Sequence, residues 1–399
     1  MAIREVKLGK VATVKGGKRL PKGINLITKP NPHPYIRVRD LNGKKTLELD
    51  GSFEFVDDET QKAISRYIVT GGDIVLSIVG TIGLVSVVGD SLNEANLTEN
   101  CVKLTSLSGI DRDYLYYYLK SSYGQQEIAR GTVGAVQAKL PIKNIQDISI
   151  PLPDEVTQRK IADILSSLDA KIEVNQRIND NLEQQAQSYF QELFVDNAVP
   201  EWTTGTISDL GTVVGGSTPS KAKPEYYTES GIAWITPKDL SNNKSKFVSH
   251  GENDITELGL RNSSASIMPE GTVLFSSRAP IGYIAIAAGE VTTNQGFKSV
   301  VPKPEIGTPF VYFFLKKTLP VIEGMASGST FKEVSGSTMK NVPAVIPDAE
   351  TLAKFSDFCA PIFAQQRILE EQNQSLATLR DNLLPKLMSG EIDVSAVQL

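Results

Sequence analysis

The chain has 399 residues, 40 % of them hydrophobic and 7 % aromatic, enough to build ordinary cores in more than one domain. No apolar run approaches the roughly 20 residues a bilayer span requires, and the opening MAIREVKLGKVATVKGGKRL lacks the apolar centre of a signal peptide, so a cytoplasmic protein without membrane contact is expected. Cys101, Cys359, His33 and His250 are too few and too scattered for a disulfide framework or a Cys/His zinc site. The net charge of −5 is an average over unlike segments. Residues 1–150 hold 20 Lys/Arg against 16 Asp/Glu, 151–200 hold 4 against 9, 201–344 hold 13 against 13, and 345–399 hold 4 against 8. Ahead of Thr46, twelve cations face only Glu5 and Asp40, a footprint that suits a phosphate backbone and that a solvated basic face would share.

In chain order, the first stretch carries short β-rich runs broken by Gly and Pro turns, Tyr67 to Val69, Ile74 to Ile78 and Leu84 to Val88, and then a helix around Tyr114 to Lys120. The aromatics Tyr114, Tyr117, Phe310, Phe313 and Phe314 recur at helical spacing, for which core packing is favoured over base stacking. After LPDE, positions spaced alternately 4 and 3 read Ile161, Leu165, Leu168, Ile172, Asn175, Asn179, Leu182, Ala186, Tyr189, Leu193. That is a heptad seam, and at ~1.5 Å per residue it predicts a rod of about 48 Å.

From residue 204 the chain repeats itself. EVKLGKVATVKGG faces TGTISDLGTVVGG, PYIRVRDLNGKK faces IAWITPKDLSNNK, DYLYYYLKSS faces PFVYFFLKKT, and the glycines at 83 and 282 set an offset of 199. A second seam follows IPDAE: Phe355, Cys359, Ile362, Gln366, Leu369, Asn373, Leu376, Arg380, Leu383, Leu387. The first helix leaves domain one for domain two and the second leaves domain two, so a pair packed on each other runs antiparallel, with the C-terminus back near domain one. The expected fold is α+β: two similar domains at 1–153 and 198–347, joined by a central helix at 154–197 and a distal helix that with a C-terminal tail takes up 348–399, the helices packed as an antiparallel coiled coil, with a pseudo-two-fold internal repeat.

No Walker A loop, GxGxxG, GxSxG or HExxH occurs. The glycine pairs at 16–17 and 215–216 precede neither a Lys-Ser nor a helix start, and Asp57 with Asp58 reads as a turn. A non-enzymatic binding protein is expected. Two similar domains held apart by a spacer suit a two-part DNA site, whose half-sites lie ~34–36 Å or a little more apart. A coiled-coil adaptor with paired protein- or glycan-binding domains has the same outline, and a steep fall of affinity with salt separates the two.

GGSTPSKAKPEYYTESGIAWITPKDL, VLFSSRAPIGYIAI, GSTFKEVSGSTMKNVPAVIPD, LRDNLLPKLMSGEIDV and, in the first copy, GTVGAVQAKLPIKNIQDISIPLPDEVTQRKIADIL resemble the specificity subunit of type I restriction-modification systems. The resemblance covers nearly the whole chain. It implies two target-recognition domains on double-stranded DNA, two adenine-N6 methyltransferase subunits and an ATP-driven restriction subunit as partners, and S-adenosylmethionine, ATP and Mg²⁺ in those partners and not in this chain. Arg278, in the stretch LFSSRAPIG where the first copy has Val79, is then placed to reach a base edge, guanine being the commonest arginine target. The alternative is an ion pair with a nearby carboxylate such as Asp239. Further DNA-binding candidates are Lys18, Arg19, Lys22, Arg37, Arg39, Lys44 and Lys45 in domain one, most of them on phosphates. In domain two they are Lys221, Lys238, Ser276, Ser277, Thr293, Asn294, Gln295, Lys298 and Lys332. Ile164, Ile178, Phe190, Phe358 and Phe363 lie off the seam and are expected on exposed outer faces that methyltransferase subunits cover.

Overall fold

The repeat in the sequence is a repeat of topology. The computed structural model describes residues 4–397 apart from 42, 135, 279, 329–331 and 396. The first copy builds a five-stranded sheet in the order Thr13–Gly16, Cys101–Thr105, Ile74–Ser77, Val85–Val88, Thr46–Leu47. The second repeats it as Gly211–Gly215, Lys298–Pro302, Val273–Ser277, Ile281–Ala287, Phe247–Val248. Only the last pairing is parallel, in both copies. A smaller sheet accompanies each: Glu54–Phe55, Pro34–Ile36 and Asn96–Leu97 in one, Tyr227–Thr228, Asn253–Ile255, Ile232–Ile235 and Thr292–Thr293 in the other.

Strand Val273–Ser277 is apolar and then Ser-Ser because both of its faces are covered. Side chains alternate along a strand, and here Val273 and Phe275 enter one core while Leu274 enters another. Strand Ile74–Ser77 divides in the same way, Ile74 and Leu76 to one core and Val75 to another. The run Tyr67 to Val69 does not form the expected strand: Ser65–Tyr67 is a 3₁₀ turn, and Ile68 makes a single bridge to Asn96. Val69 exchanges backbone hydrogen bonds with Ala95 and Glu94 before the turn at Gly72, whose φ is 86°, so the pairing stays irregular. Asp57 is a cap, its side chain accepting from the Thr60 N–H.

Helix Arg112–Lys120 starts on Asp111, whose carboxylate accepts from the amides of Asp113 and Tyr114. Its tyrosines are buried, as are Phe310, Phe313 and Phe314 on the counterpart helix Thr308–Met325, so the aromatic spacing marks a core.

Each long helix also begins on an aspartate. Asp154 accepts from the Thr157 N–H at 2.9 Å ahead of Glu155–Gln191, and Asp348 from the Thr351 N–H at 2.8 Å ahead of Ala349–Ser389. None of the twenty seam residues is exposed.

The chain forms two compact units, residues 1–173 with 374–399, and 174–373. In the first, Ile161, Ala162 and Leu165 share a core with Leu384, Leu387, Met388 and Val394. Lys160 donates to the carbonyl of Ser395 at 2.7 Å, and Arg380 meets Asp169 at 2.6 Å, so the helices run antiparallel and the C-terminal segment returns to domain one. In the second unit Asn175 donates to Asn373 at 2.9 Å and Gln366 to the carbonyl of Asn179 at 3.2 Å, again antiparallel. Asn175 is fully buried in the seam, a polar contact of the kind that specifies register.

Three of the five apolar residues expected on outer faces are not there. Phe190 and Phe363 are buried, with Phe190 5.8 Å from the ring of Phe313 and Phe363 6.0 Å from that of Tyr312. Helix Thr308–Met325 of the second domain lies on that side of the pair, a face that a two-helix reading leaves open. Ile164 is partly buried against the core of the first unit. Ile178 and Phe358 remain exposed.

Candidate nucleic-acid interface

The glycine pairs open the loops that carry the first candidates. A Cβ on Gly17 would lie 2.0 Å from the carbonyl oxygen of Thr98, and one on Gly216 would lie 1.9 Å from that of Asn294. The second glycine of each pair therefore permits a close backbone approach. Backbone bonds fix the crossing: Lys18 donates to Leu97 at 2.7 Å, and Ser217 to Thr293 at 2.9 Å. An aromatic side chain then pins each loop, Tyr35 donating to the carbonyl of Lys18 at 2.7 Å and Trp234 to that of Ser217 at 3.0 Å.

Beyond the pin, the copies keep a contact and change its chemistry. Arg19 lies 2.5 Å from Glu99 in the first, while Thr218 donates to Gln295 in the second. Burial raises the Glu99 pKa, but hydrogen bonds from Arg19, its own backbone and Thr98 outweigh it and hold the carboxylate below its ordinary range. Lys18, Lys22 and Lys44 of the first domain and Lys221, Gln295 and Lys332 of the second are exposed. Lys238 is exposed and 2.7 Å from Glu252.

Arg278 follows the buried strand and makes an antiparallel bridge with Glu333. Its side chain is 38 % exposed and its Nη1 is 3.7 Å from Glu333 Oε2, an ion contact too long for a hydrogen bond. Lys298 approaches the other oxygen of Glu333 at 3.9 Å. Burial lowers the Lys298 pKa, and Glu333 offsets part of this. The carboxylate beside Arg278 is thus Glu333 and not Asp239, which accepts from the Thr236 backbone at 2.7 Å as a helix cap. In the first copy the matching bridge joins Val79 to Lys139, an exposed cation that the sequence reading passed over.

Ser276, Ser277 and Thr293 are not available to an external partner. All three are buried: Ser276 donates to the carbonyl of Pro280 at 2.8 Å and accepts from the Tyr283 amide at 2.7 Å, and Ser277 donates to Gly296 at 3.1 Å. Asn294 is half-buried and accepts from the Gly296 amide at 2.8 Å, so it shapes the turn. Arg37 and Arg39 converge on Glu54, and Arg37 also faces buried Asp40 at 3.5 Å.

Lys45 is an anchor and not a surface cation. Its ammonium lies 2.7 Å from Asp113 and 2.6 Å from Ser166 on the long helix, over the ring of Tyr117. Lys246 holds the same place in the second copy, 2.8 Å from Glu183, 2.9 Å from Gln366 and 3.4 Å from the centroid of Phe363. Burial pushes the Lys246 pKa down to about 8 against the opposing pull of Glu183. Aligning GKK at 43–45 with the run ending in Lys246 would have paired the two lysines, but nothing in the residues alone says that they are buried.

Residues 3–184 and 200–379 match the family described as "Type I restriction modification DNA specificity domain". The chain is 40 % identical over 191 residues to the "Type I restriction enzyme MjaIX specificity subunit" of Methanocaldococcus jannaschii, a match covering 46 % of this chain and 44 % of that protein. It is 25 % identical over 329 residues to the "Type I restriction enzyme HindI specificity subunit" of Haemophilus influenzae, across 64 % of this chain and 71 % of the relative. A crystal structure of the type I restriction-modification S subunit from M. genitalium has the same fold at a TM-score of 0.58 and 19 % identity, covering 97 % of this chain and 96 % of that one. The repeated topology and a family match over both repeats agree: the chain belongs to the type I restriction-modification DNA specificity domain family, with two such domains in tandem.

Proposed function

We propose that the chain is the DNA specificity subunit of a type I restriction-modification complex, each domain reading one half of a two-part site. The observation that carries this is that two domains of one topology differ at matching loop positions, Arg19 and Glu99 against Thr218 and Gln295, Val79 and Lys139 against Arg278 and Glu333. Shared backbone with changed polar groups suits two readers of different sequences on one kind of partner. Arg278, Lys221, Gln295 and Lys332 are the reading candidates of the second domain. Lys18, Arg19, Lys22 and Lys44 of the first serve mainly to position the DNA through phosphates.

The chain itself does no chemistry in this reading. Two methyltransferase subunits transfer methyl groups to adenine N6 with S-adenosylmethionine, and restriction subunits use ATP and Mg²⁺, all in the cytoplasm. Exposed Ile178 and Phe358 on the long helices are apolar footholds for the methyltransferase subunits. The test is to map methylated adenines in the host genome with and without this gene. Loss of one asymmetric two-part motif supports the reading, and an unchanged methylation pattern removes it. Binding of the purified complex to DNA should also fall steeply with salt; affinity that ignores salt would favour an adaptor.

A further inference from the structure

Around one point of the two main sheets, three positions change together. Arg278, Lys298 and Glu333 of the second domain stand where the first has Val79, Val102 and Lys139, as the bridge Arg278–Glu333 against Val79–Lys139 and the pairs Gly215–Lys298 against Gly16–Val102 fix. The three lie far apart in sequence, yet both cations face one carboxylate, at 3.7 and 3.9 Å. Each set has a formal charge of +1, from Arg, Lys and Glu in one copy and from Lys alone in the other. General attraction to phosphate is therefore served equally by both, and what differs is the hydrogen-bonding groups on offer.

In the second domain Arg278 and Glu333 are held by ion contacts and keep their hydrogen-bonding capacity open. Among the described residues, neither the Arg278 guanidinium nor the Glu333 carboxylate makes a side-chain hydrogen bond, and each side chain is more than a third exposed. A guanidinium beside a carboxylate presents two donors and then an acceptor. The major-groove edge of a G·C pair presents the complement, guanine N7 and O6 as acceptors and cytosine N4 as donor. Opposite an A·T pair the carboxylate would meet the thymine O4 acceptor and be repelled, which adds rejection of the wrong pair to recognition of the right one.

Resting on the DNA-reading function proposed above, we infer that Arg278, Lys298 and Glu333 form one reading unit for a G·C pair. Arg278 contacts guanine, Glu333 accepts from cytosine, and Lys298 neutralises Glu333 from behind. Lys139 holds the corresponding place in the first domain, exposed and without an ion pair among the described residues, as a donor alone.

The experiment uses the full chain co-expressed with its methyltransferase partner, once the methylated motif is known, and measures methylation of duplexes changed at each base pair in turn. The variants are Glu333→Gln and the triple exchange Arg278→Val, Lys298→Val, Glu333→Lys, which installs the first domain's set at unchanged charge. The triple variant should lose discrimination about tenfold or more at one G·C pair of one half-site, keep the other half-site, and keep the salt slope. Glu333→Gln should lose rejection at that same pair. Wild-type discrimination at every position in Glu333→Gln, or a loss spread over both half-sites in a folded triple variant, overturns the inference. A wild-type complex that methylates no two-part motif removes instead the functional reading beneath it.

Discussion

The two domains share a sheet order but fasten to the long helices differently. In the second, Lys246 is buried among the rings of Tyr312, Phe313 and Phe363 and bonded to Glu183, which Lys316 approaches at 2.6 Å from the other side. In the first, Lys45 is partly exposed, Asp113 has a second partner in Arg112 at 2.7 Å, and a separate pair, Asp169 with Arg380 and the Tyr117 hydroxyl, shares the fastening. One copy centres its polar attachment on a buried ammonium whose carboxylate partner Lys316 shares, and the other spreads it over two separate pairs. A duplicated fold conserves the geometry of attachment more strictly than its chemistry.

The largest expected effect separates the copies at this point. Lys246→Ala leaves a cavity between aromatic rings and a buried carboxylate with one partner fewer, and should destabilise the second domain by about 3 kcal/mol or more. Lys45→Ala should cost the first domain about 1 kcal/mol, because Arg112 still serves Asp113. Trp202 and Trp234, the only tryptophans, both report on the second domain during denaturation, and hydrogen exchange of the 112–120 helix reports on the first. Equal losses would erase the comparison.

Gly17→Ala and Gly216→Ala should behave alike, each losing about 2 kcal/mol, because in both the added Cβ meets a backbone carbonyl that cannot yield without moving a strand. A large difference between the two would show that one crossing is looser than its backbone bonds imply.

The pH response of the second domain should centre on Lys246. The Lys246 pKa of about 8 lies below its ordinary value of 10.5, so the unfolded chain binds more protons between those values. The penalty for holding this ammonium in the fold is complete below pH 8 and relieved as pH rises toward 10.5. Relative to Lys246→Met, the wild-type unfolding free energy should therefore rise across that window, as denaturant titrations at several pH values would show. A fall would mean that the pair with Glu183 outweighs burial.

The smallest effect is Phe358→Ser, which should cost no more than about 1 kcal/mol, since that side chain is 39 % exposed and its one ring contact among the described residues is Tyr189 at 4.5 Å. Its readout is retention of the methyltransferase subunit in gel filtration, which should weaken; unchanged retention removes Phe358 from the docking surface.

Much of the molecule was readable before its structure. The duplication, the two helices with their polar seam and the antiparallel run follow from spacing, because a helix seam needs only its own 3.5-residue period to declare itself. Asp154 and Asp348 announce the helix starts by local capping chemistry, and the aromatics at 114, 117, 310, 313 and 314 announce a core by helical spacing. What sequence could not decide was which faces the domains cover. Phe190 and Phe363 read as outward from the seam and are buried because a third helix packs there; Ser276 and Ser277 read as polar and reachable but sit on a strand with a core on both sides. Lys45 reads as one more cation in a basic stretch, and Lys139 and Glu333 draw no notice in theirs, until loops distant in the chain bring each to its partner. Local periodicity fixes an element from its own residues, whereas burial and ion pairing depend on neighbours that only the folded chain supplies.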